Sequence, residues 1–276
     1  NLELYTFVLT PVGYQADSGL DGFTQVSPAV STDKVEVYPQ YSVNTASSLY
    51  SVTVDGVNLP ITQFGNEYDY GEFTMKEGPV TVRVTFSESI NSYSISPLSL
   101  GLTGTVSGNT LTFTLEKDEY LIIKINGNNR RLVLTADPPI ADVPDPEADN
   151  VFDVTAEPYN ADNTGKYIVT DVIQQAIDDA SAIGTESEPG VVYVPAGVYQ
   201  TGSLMLRSNV RLYLEGGAIL WGSTRHMDWM PKGRKTSIGR AVTYLVYTDD
   251  NTVNTSVDGR GTVDGNALTF KQDSSR

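Results

Sequence analysis

The stretch from residue 190 to residue 223 alternates short apolar strands with turns that are too short to hold a helix. Its breaks fall at Pro195-Ala196-Gly197, Ser208-Asn209 and Gly216-Gly217. An ordinary parallel sheet needs a crossover of a dozen or more residues between strands, so this stretch cannot form one. A right-handed coil of stacked rungs satisfies the pattern, because each strand then pairs with the strand one turn later. The spacing predicts a parallel β-helix, with further rungs at Tyr244–Tyr247 and Val257–Gly265.

One amphipathic helix is predicted just before these rungs, over about residues 170–183. Thr170 is the expected N-cap and Gly184 the expected end of the helix. The apolar side chains recur at helical spacing and form one face, consisting of Ile173, Ala176, Ile177, Ala180 and Ile183. Such a helix is well placed to cover the open end of the stack, where unpaired strand edges would otherwise be exposed.

Residues 1–137 have a different pattern, with apolar residues at alternate positions in segments such as Val80–Phe86 and Tyr120–Ile125. Regular short strands separated by Gly, Asn and Asp turns indicate a β-sandwich. Residues 138–150 contain four prolines and four acidic residues, which favours an extended linker. The expected fold is therefore all-β, with a sandwich at 1–137, a linker at 138–150 and the first coils of a β-helix at 151–276.

Composition excludes several classes of function. The chain has 34 acidic and 18 basic residues and a net charge of −16, which disfavours nucleic acid and anionic membrane surfaces as partners. With no cysteine and one histidine, the sequence offers no disulfide, no thiol nucleophile, no zinc site and no Ser-His triad. We expect neither a metal nor a cofactor. A start at Asn1 without Met indicates an exported chain that has lost its leader, secreted or periplasmic.

The candidate binding residues lie in the loop 224–240, which interrupts the rungs. This loop has five basic side chains against one acid, Asp228, a local charge of +4 on an acidic protein. One interpretation is recognition of carboxylate or sulfate groups on a substrate; the other is a solvated loop that balances the acidic bulk. Trp229 could stack on a sugar ring or pack in the core. The binding candidates are Arg225, His226, Trp229 and Arg240.

Other residues have a chemical and a structural interpretation. The Asp249-Asp250 pair, with Asp258 and Asp264, could serve glycoside hydrolysis, which needs carboxylates on both sides of the bond. Turn formation is the favoured alternative, because Asp before Gly or Asn stabilises tight turns. The aromatic turn region from Phe64 to Phe73 could bind sugars, but packing is favoured there as well.

Several segments of the second half match a known pattern together: Phe152–Thr155, Thr170–Asp178, Val192–Tyr199, Thr201–Leu204, Ser208–Leu212, Gly217–Ser223 and Val257–Gly265. Over about residues 151–266 the chain resembles the polygalacturonase-type glycoside hydrolases of the pectate-lyase-like β-helix superfamily. A sandwich before a β-helix is also similar in layout to dextranases and isopullulanase. The resemblance implies an enzyme that hydrolyses O-glycosidic bonds of a polysaccharide, pectin or glucan, with inversion.

The catalytic motifs of that family are missing. They are Asn-Thr-Asp, Asp-Asp, Gly-His-Gly and Arg-Ile-Lys on later rungs, and Asp249-Asp250 precedes the rung that would carry the Asp-Asp motif. The resemblance thus implies no catalytic residue in this chain. We expect the N-terminal part of such a hydrolase, inactive alone, whose β-helix is completed by a C-terminal fragment of the same protein. The alternatives are a non-catalytic carbohydrate-binding or adhesion protein, and half of a phage-type depolymerase or lyase.

Overall fold

The structure is a computed structural model that describes residues 15–229, 232–235, 241–267 and 269. These residues form two compact units. One comprises residues 24–142 and is called the β-sheet unit here. The other comprises the described residues before 24 and after 142 and is called the β-helix unit. No helix among the described residues is long and apolar enough to cross a membrane.

Short strands dominate both units. In chain order they are β1 (Ala16–Asp17), β2 (Gln25–Ser27), β3 (Val30–Ser31), β4 (Val35–Val37), β5 (Gln40–Tyr41), β6 (Tyr50–Val54), β7 (Val57–Leu59), β8 (Thr62–Phe64), β9 (Tyr68–Met75), β10 (Val80–Phe86), β11 (Tyr93–Ser96), β12 (Thr105–Ser107), β13 (Thr110–Leu115), β14 (Tyr120–Ile125), β15 (Arg131–Asp137), β16 (Val151–Asp153), β17 (Thr164–Ile168), β18 (Gly190–Val194), β19 (Gly197–Thr201), β20 (Leu204–Met205), β21 (Val210–Leu214), β22 (Ala218–Gly222), β23 (Lys232–Lys235), β24 (Ala241–Val242), β25 (Val246–Tyr247), β26 (Thr255–Gly259) and β27 (Thr262–Asp264). Helix α1 spans Thr170–Ile183, 3-10 turns lie at Leu98–Leu100 and His226–Asp228, and Ala267 and Thr269 are also helical.

Two large sheets and the short pair of β2 with β5 build the β-sheet unit. One has the strand order β12-β13-β10-β6-β7, and the other has the order β11-β14-β15-β9-β4-β3 with β8 beside β9. The pairs are antiparallel except for β15 with β9. Along β10, Val80, Val82 and Val84 are buried, while Thr81 and Arg83 between them are exposed. Side chains from the two sheets join in one hydrophobic core, as the period-two pattern predicts.

Three columns of parallel strands build the β-helix unit. They are β16-β18-β21-β26, β17-β19-β22-β27 and β20-β25. Each strand pairs with the strand one coil later, so that Val192 lies beside Leu212 and Leu212 beside Val257. The predicted parallel β-helix is confirmed. Because every coil repeats the same inward positions, a continuous apolar core runs along the stack.

Helix α1 has the predicted bounds, but its first turn is built differently from the prediction. The N-cap is Val169, with no side-chain hydrogen bond, and Thr170 is already helical. The Thr170 hydroxyl instead accepts the backbone N–H of Gly202, 2.7 Å away in the next coil. Ile183, predicted on the apolar face, is exposed at the helix end. Gly184 does end the helix, in an extended conformation, where a Cβ atom would lie 2.3 Å from the Asn209 carbonyl oxygen.

The first residues described belong to the β-helix unit, whereas the sequence predicted one domain over 1–137. Strand β1 pairs antiparallel with β17, placing Ala16 beside Ile168. Phe23 packs edge-on against Trp221, with 5.0 Å between ring centroids. Strand β1 thus covers the free edge of the first coil, a role that a two-residue strand does not reveal in sequence. The division after Asp142 lies inside the predicted linker.

Candidate functional site

A cavity of about 470 Å³ opens in the β-helix unit beside β20 and β25. Helix α1 and the turn after β22 form walls of this cavity. Its lining combines charged, hydroxyl, amide and apolar groups and consists of Ala16, Ile168, Thr170, Asp171, Gln174, Ser203, Met205, Arg207, Arg225, Met227, Asp228 and Tyr247. Both the volume and the mixture of apolar surface with a few convergent polar groups are typical of small-molecule sites.

Helix α1 takes the place of a strand next to β20. The Gln174 side chain accepts the backbone N–H of Met205 at 2.8 Å and donates to the carbonyl of Met205 at 3.0 Å. A side-chain amide thus satisfies both backbone groups of Met205, as a neighbouring strand would. On the other side β20 pairs with β25. The third column of strands therefore starts at β20, and α1 closes the cavity at that end.

The turn after β22 forms another wall of the cavity, and several hydrogen bonds hold this turn in place. Asp228 pairs with Arg225, 3.1 Å from Nη2 to Oδ1, and accepts a short hydrogen bond from the Ser223 hydroxyl. The carbonyl of Asp228 accepts the backbone N–H of Ser203 at 3.1 Å. A Cβ atom on Gly202 would lie 1.8 Å from that carbonyl oxygen, so the close approach of the two segments requires glycine.

The remaining charged groups differ in how fully the protein satisfies them. Arg207 pairs with Asp178 of α1, with 2.7 Å between Nε and Oδ1. The Nε–H of Arg225 is buried without a hydrogen-bond partner. Asp171 lies exposed in the first turn of α1, at the cavity wall, and makes no hydrogen bond or ion pair with any described residue. Asp171, which is exposed, therefore keeps hydrogen-bonding capacity that a ligand can use, whereas the unpartnered Nε–H of Arg225 is out of a ligand's reach.

Comparison with known proteins relates this region to a family. Residues 153–268 match the family described as rhamnogalacturonase A/epimerase, pectate lyase-like. The matching segment is called the pectate-lyase-like domain here. The chain is 36% identical over 118 residues to the exo-poly-alpha-D-galacturonosidase of Dickeya chrysanthemi and 32% identical over 109 residues to a probable polygalacturonase of Vitis vinifera. These alignments cover 39% and 37% of this chain.

The chain spans only 18% and 22% of the length of those two relatives. Among solved structures, the family 28 exopolygalacturonase of Yersinia enterocolitica is similar over 67% of this chain and 39% of its own, with 19% identity and a TM-score of 0.35. Both curated relatives have names that denote action on polygalacturonan. Because the chain spans so little of their length, the part of this chain that matches corresponds to a small part of each relative.

The structure separates the four residues predicted as binding candidates. Arg225 lines the cavity of the pectate-lyase-like domain. His226 begins the 3-10 turn beside it, and its side chain is outside the described residues, as is the whole of Arg240. Trp229 is buried in the core, and its indole N–H donates to the Ser223 carbonyl at 2.7 Å. Of its two predicted roles, packing is the one observed, because a buried ring cannot stack on a sugar.

Three of the other predicted carboxylates, Asp249, Asp258 and Asp264, make structural contacts. Asp249 accepts the backbone N–H of Asn251 at 3.1 Å, and Asp264 accepts that of Asn266 at 2.7 Å, as expected for turns. Asp258 differs from the turn prediction, because it pairs with Arg211 of the neighbouring coil. Within the described residues, no group of three or more His, Asp or Glu side chains is placed to hold a metal ion.

Other aromatic side chains, including those of the Phe64 to Phe73 region, make packing contacts. Tyr199 is fully buried and Tyr213 stacks on Tyr193, with 5.6 Å between the ring centroids. In the β-sheet unit, Phe73 is buried, and Phe64 stacks on Tyr68 across a hairpin. Sugar binding at this hairpin stays a prediction.

Sequence reasoning missed the α1 side of the cavity. Asp171, Gln174 and Asp178 lie at positions i, i+3 and i+7, so they form a polar stripe on the helix. That stripe was visible in the sequence as the complement of the apolar face. Its partners are Met205, in a strand of only two residues that carries no pattern of its own, and Arg207, just after that strand.

Proposed function

We propose that this chain is the N-terminal part of a polysaccharide-degrading glycoside hydrolase and that the cavity forms one end of its saccharide-binding groove. The match of residues 153–268 to a pectate-lyase-like family carries this proposal, because every residue lining the cavity except Ala16 lies within that segment. The reaction proposed is polygalacturonase-like hydrolysis of O-glycosidic bonds with inversion. Such hydrolysis needs one carboxylic acid to protonate the leaving oxygen and one carboxylate to activate water.

The catalytic aspartates are proposed to lie outside this chain. Of the two cavity carboxylates, Asp228 is already engaged by the Arg225 guanidinium and the Ser223 hydroxyl. Asp171 alone cannot supply both roles. The small share of each relative that the chain covers supports the same assignment, since most of their length has no counterpart here.

The interior of the stack supports further coils after β27. Val257 continues the inward column of Val192 and Leu212, both fully buried, yet Val257 is 42% exposed. Val263 continues the column of Leu220 in the same way and is 48% exposed. Inward apolar positions gain stability only when a neighbouring coil covers them. We therefore propose that a further segment of the same protein completes the β-helix.

The proposal includes export, to the periplasm or outside the cell, because a polysaccharide is too large to cross a membrane unaided. A non-catalytic carbohydrate-binding protein is the second candidate. The observation that favours it is the lack, in the described cavity, of two carboxylates free for acid–base catalysis.

Hydrolysis assays test the proposal. The purified sample is first examined by intact mass, which shows whether a second polypeptide accompanies the 29.9 kDa chain. Release of reducing ends from polygalacturonate and from dextran is then followed, and the anomeric configuration of the first product is read by NMR. A sample with the remaining coils should hydrolyse one of the two polymers with inversion. A sample that contains the complete β-helix and cleaves neither polymer, yet binds oligosaccharides, would replace the hydrolase with the binding protein.

A further inference from the structure

We propose that the cavity is a subsite for an uncharged sugar residue at the end of a chain, with the Asp171 carboxylate accepting hydrogen bonds from the sugar hydroxyl groups. This inference rests on the proposed saccharide-binding function and adds the ligand class. The proposed neutral ligand differs from the polygalacturonan that the names of the curated relatives denote, and from the anionic ligand that the basic loop suggested.

The charges of the cavity wall are the first argument. Arg225 is neutralised by Asp228, and Arg207 is neutralised by Asp178. Asp171 is the charged group that remains without a partner among the described residues. An anionic sugar would meet this carboxylate instead of an unpaired arginine, and the net charge of −16 adds repulsion at long range. The balance of these groups therefore favours a neutral ligand.

The hydrogen-bonding capacity of Asp171 is the second argument. An ionised carboxylate is an acceptor only, and its two oxygens can take hydrogen bonds from two adjacent hydroxyl groups. Neighbouring hydroxyls are what a neutral sugar ring presents in place of a carboxylate. Arg225, which also lines the cavity, has further guanidinium N–H groups that can donate to ring or hydroxyl oxygens. Met205 supplies apolar surface against which C–H groups of the ring can pack.

The closed end of the cavity is the third argument. Gln174 binds both backbone groups of Met205, so α1 replaces the strand that would extend the groove. A volume of about 470 Å³ lies at the small end of ligand pockets, which span roughly 300–1,000 Å³. The site therefore has room for one or two sugar residues at a chain end and none for a chain that continues through α1.

Calorimetric titration of the chain with three probes tests the proposal: isomaltose and galactobiose as neutral disaccharides, and digalacturonate as the anionic one. We expect one neutral probe to bind at least about tenfold more tightly than digalacturonate at low salt. Tighter binding of digalacturonate, weakened by added salt, would overturn the proposal and favour the basic loop.

Variants of Asp171 locate the site. Asp171→Asn should weaken the neutral probe about tenfold, while Asp171→Lys should strengthen digalacturonate. Asp171→Ser keeps a residue suited to a helix start and serves if the asparagine variant is poorly folded by circular dichroism. The control is Asp33→Asn, which removes another exposed carboxylate, in the β-sheet unit, and should change neither affinity. Unchanged binding in folded Asp171 variants would refute the inference.

The outcomes separate the two proposals. If a sample with the complete β-helix hydrolyses polysaccharide but the Asp171 variants bind all probes like the parent, the subsite is wrong and the hydrolase stands. If none of the three disaccharides binds the chain, the inference fails on its own, whatever the hydrolysis assay gives. If no polymer is cleaved but the neutral probe binds through Asp171, the subsite stands and the hydrolase is wrong.

Discussion

Two arginine–aspartate pairs, one in each unit, show how the same chemistry serves different ends. In the β-sheet unit, Arg130 Nη2 lies 3.0 Å from Asp69 Oδ2, and in the β-helix unit Arg225 Nη2 lies 3.1 Å from Asp228 Oδ1. The first arginine side chain is 13% exposed and the second 37%. The distances are alike, so the surroundings decide the role.

The pair in the β-sheet unit is enclosed by its neighbours. Asp69 is fully buried and also accepts the Ser47 hydroxyl at 2.9 Å. The hydroxyl of Tyr50 donates to the Arg130 carbonyl at 2.8 Å. Such a network fixes a fold and offers nothing to a ligand, whereas Arg225 stands at a cavity wall with donors to spare.

Removing the enclosed pair should have the largest effect. Asp69→Ala leaves the Arg130 charge buried without a partner, and we expect a loss of about 3–5 kcal/mol in the free energy of unfolding of the β-sheet unit. Urea unfolding measures it. The control is Glu36→Ala, which breaks a pair with Lys76 that spans 3.9 Å at the surface and should cost less than about 1 kcal/mol. Equal costs would remove the distinction between enclosed and exposed pairs.

The close approach at the cavity wall should give the next largest effect. Gly202→Ala places a methyl group against the Asp228 carbonyl, and the forced backbone shift should cost about 1–3 kcal/mol in the β-helix unit. It should also weaken saccharide binding, because Asp228 holds Arg225. Gly265→Ala is the matched control, since a Cβ atom there has no neighbour within 4 Å. If the Gly202→Ala variant were as stable as the parent and bound saccharide equally well, the Asp228 segment could shift without loss of the site.

The sequence predicted the structural elements whose residues recur at a regular spacing, and it missed the single side-chain contacts between residues far apart in the chain. The inward columns and α1 follow periods of two and 3.6 residues, so their positions could be read locally. The Arg130–Asp69 pair joins residues 61 positions apart, and Gln174 reaches Met205 across 31 positions. No local pattern encodes such contacts. Trp229 shows the same limit, because a tryptophan in a loop sequence has no signature that distinguishes a core position from a surface position.

The enclosed network should also respond to alkaline pH. Burial, with a smaller contribution from the Asp69 charge, raises the pKa of Tyr50 from 10.0 to about 12. The folded state therefore retains this proton after the unfolded chain has lost it. The resulting stability, up to about 2 kcal/mol, is present below pH 10 and should be lost as the pH rises from 10 to about 12. Urea midpoints across that range, compared with those of Tyr50→Phe, isolate this contribution. A parent and variant with parallel pH curves would show that Tyr50 titrates normally.

A third arginine–aspartate pair, Arg211 with Asp258, is the one from which we expect the smallest contribution to stability. It joins β21 to β26, with 3.0 Å between Nη2 and Oδ1, and the Asp258 side chain is 41% exposed. Arg211 also lies over the Tyr213 ring, 5.2 Å from its centroid, and keeps that contact when the carboxylate is removed. Asp258→Asn should therefore cost only about 0.2–1 kcal/mol.

The salt dependence of the stability loss distinguishes an exposed ion pair such as Arg211–Asp258 from an enclosed one such as Arg130–Asp69. The cost of Asp258→Asn should shrink between about 0.05 M and about 0.5 M NaCl, because salt weakens attraction between exposed charges. The cost of Asp69→Ala should hardly change over the same range, because water and ions do not reach Asp69. A salt-independent loss at Asp258 would mean that the pair joining the two coils is as enclosed as the one in the β-sheet unit. In that case, the exposed fraction of the side chains would no longer distinguish the ion pairs that stabilise the fold from the Arg225–Asp228 pair at the cavity.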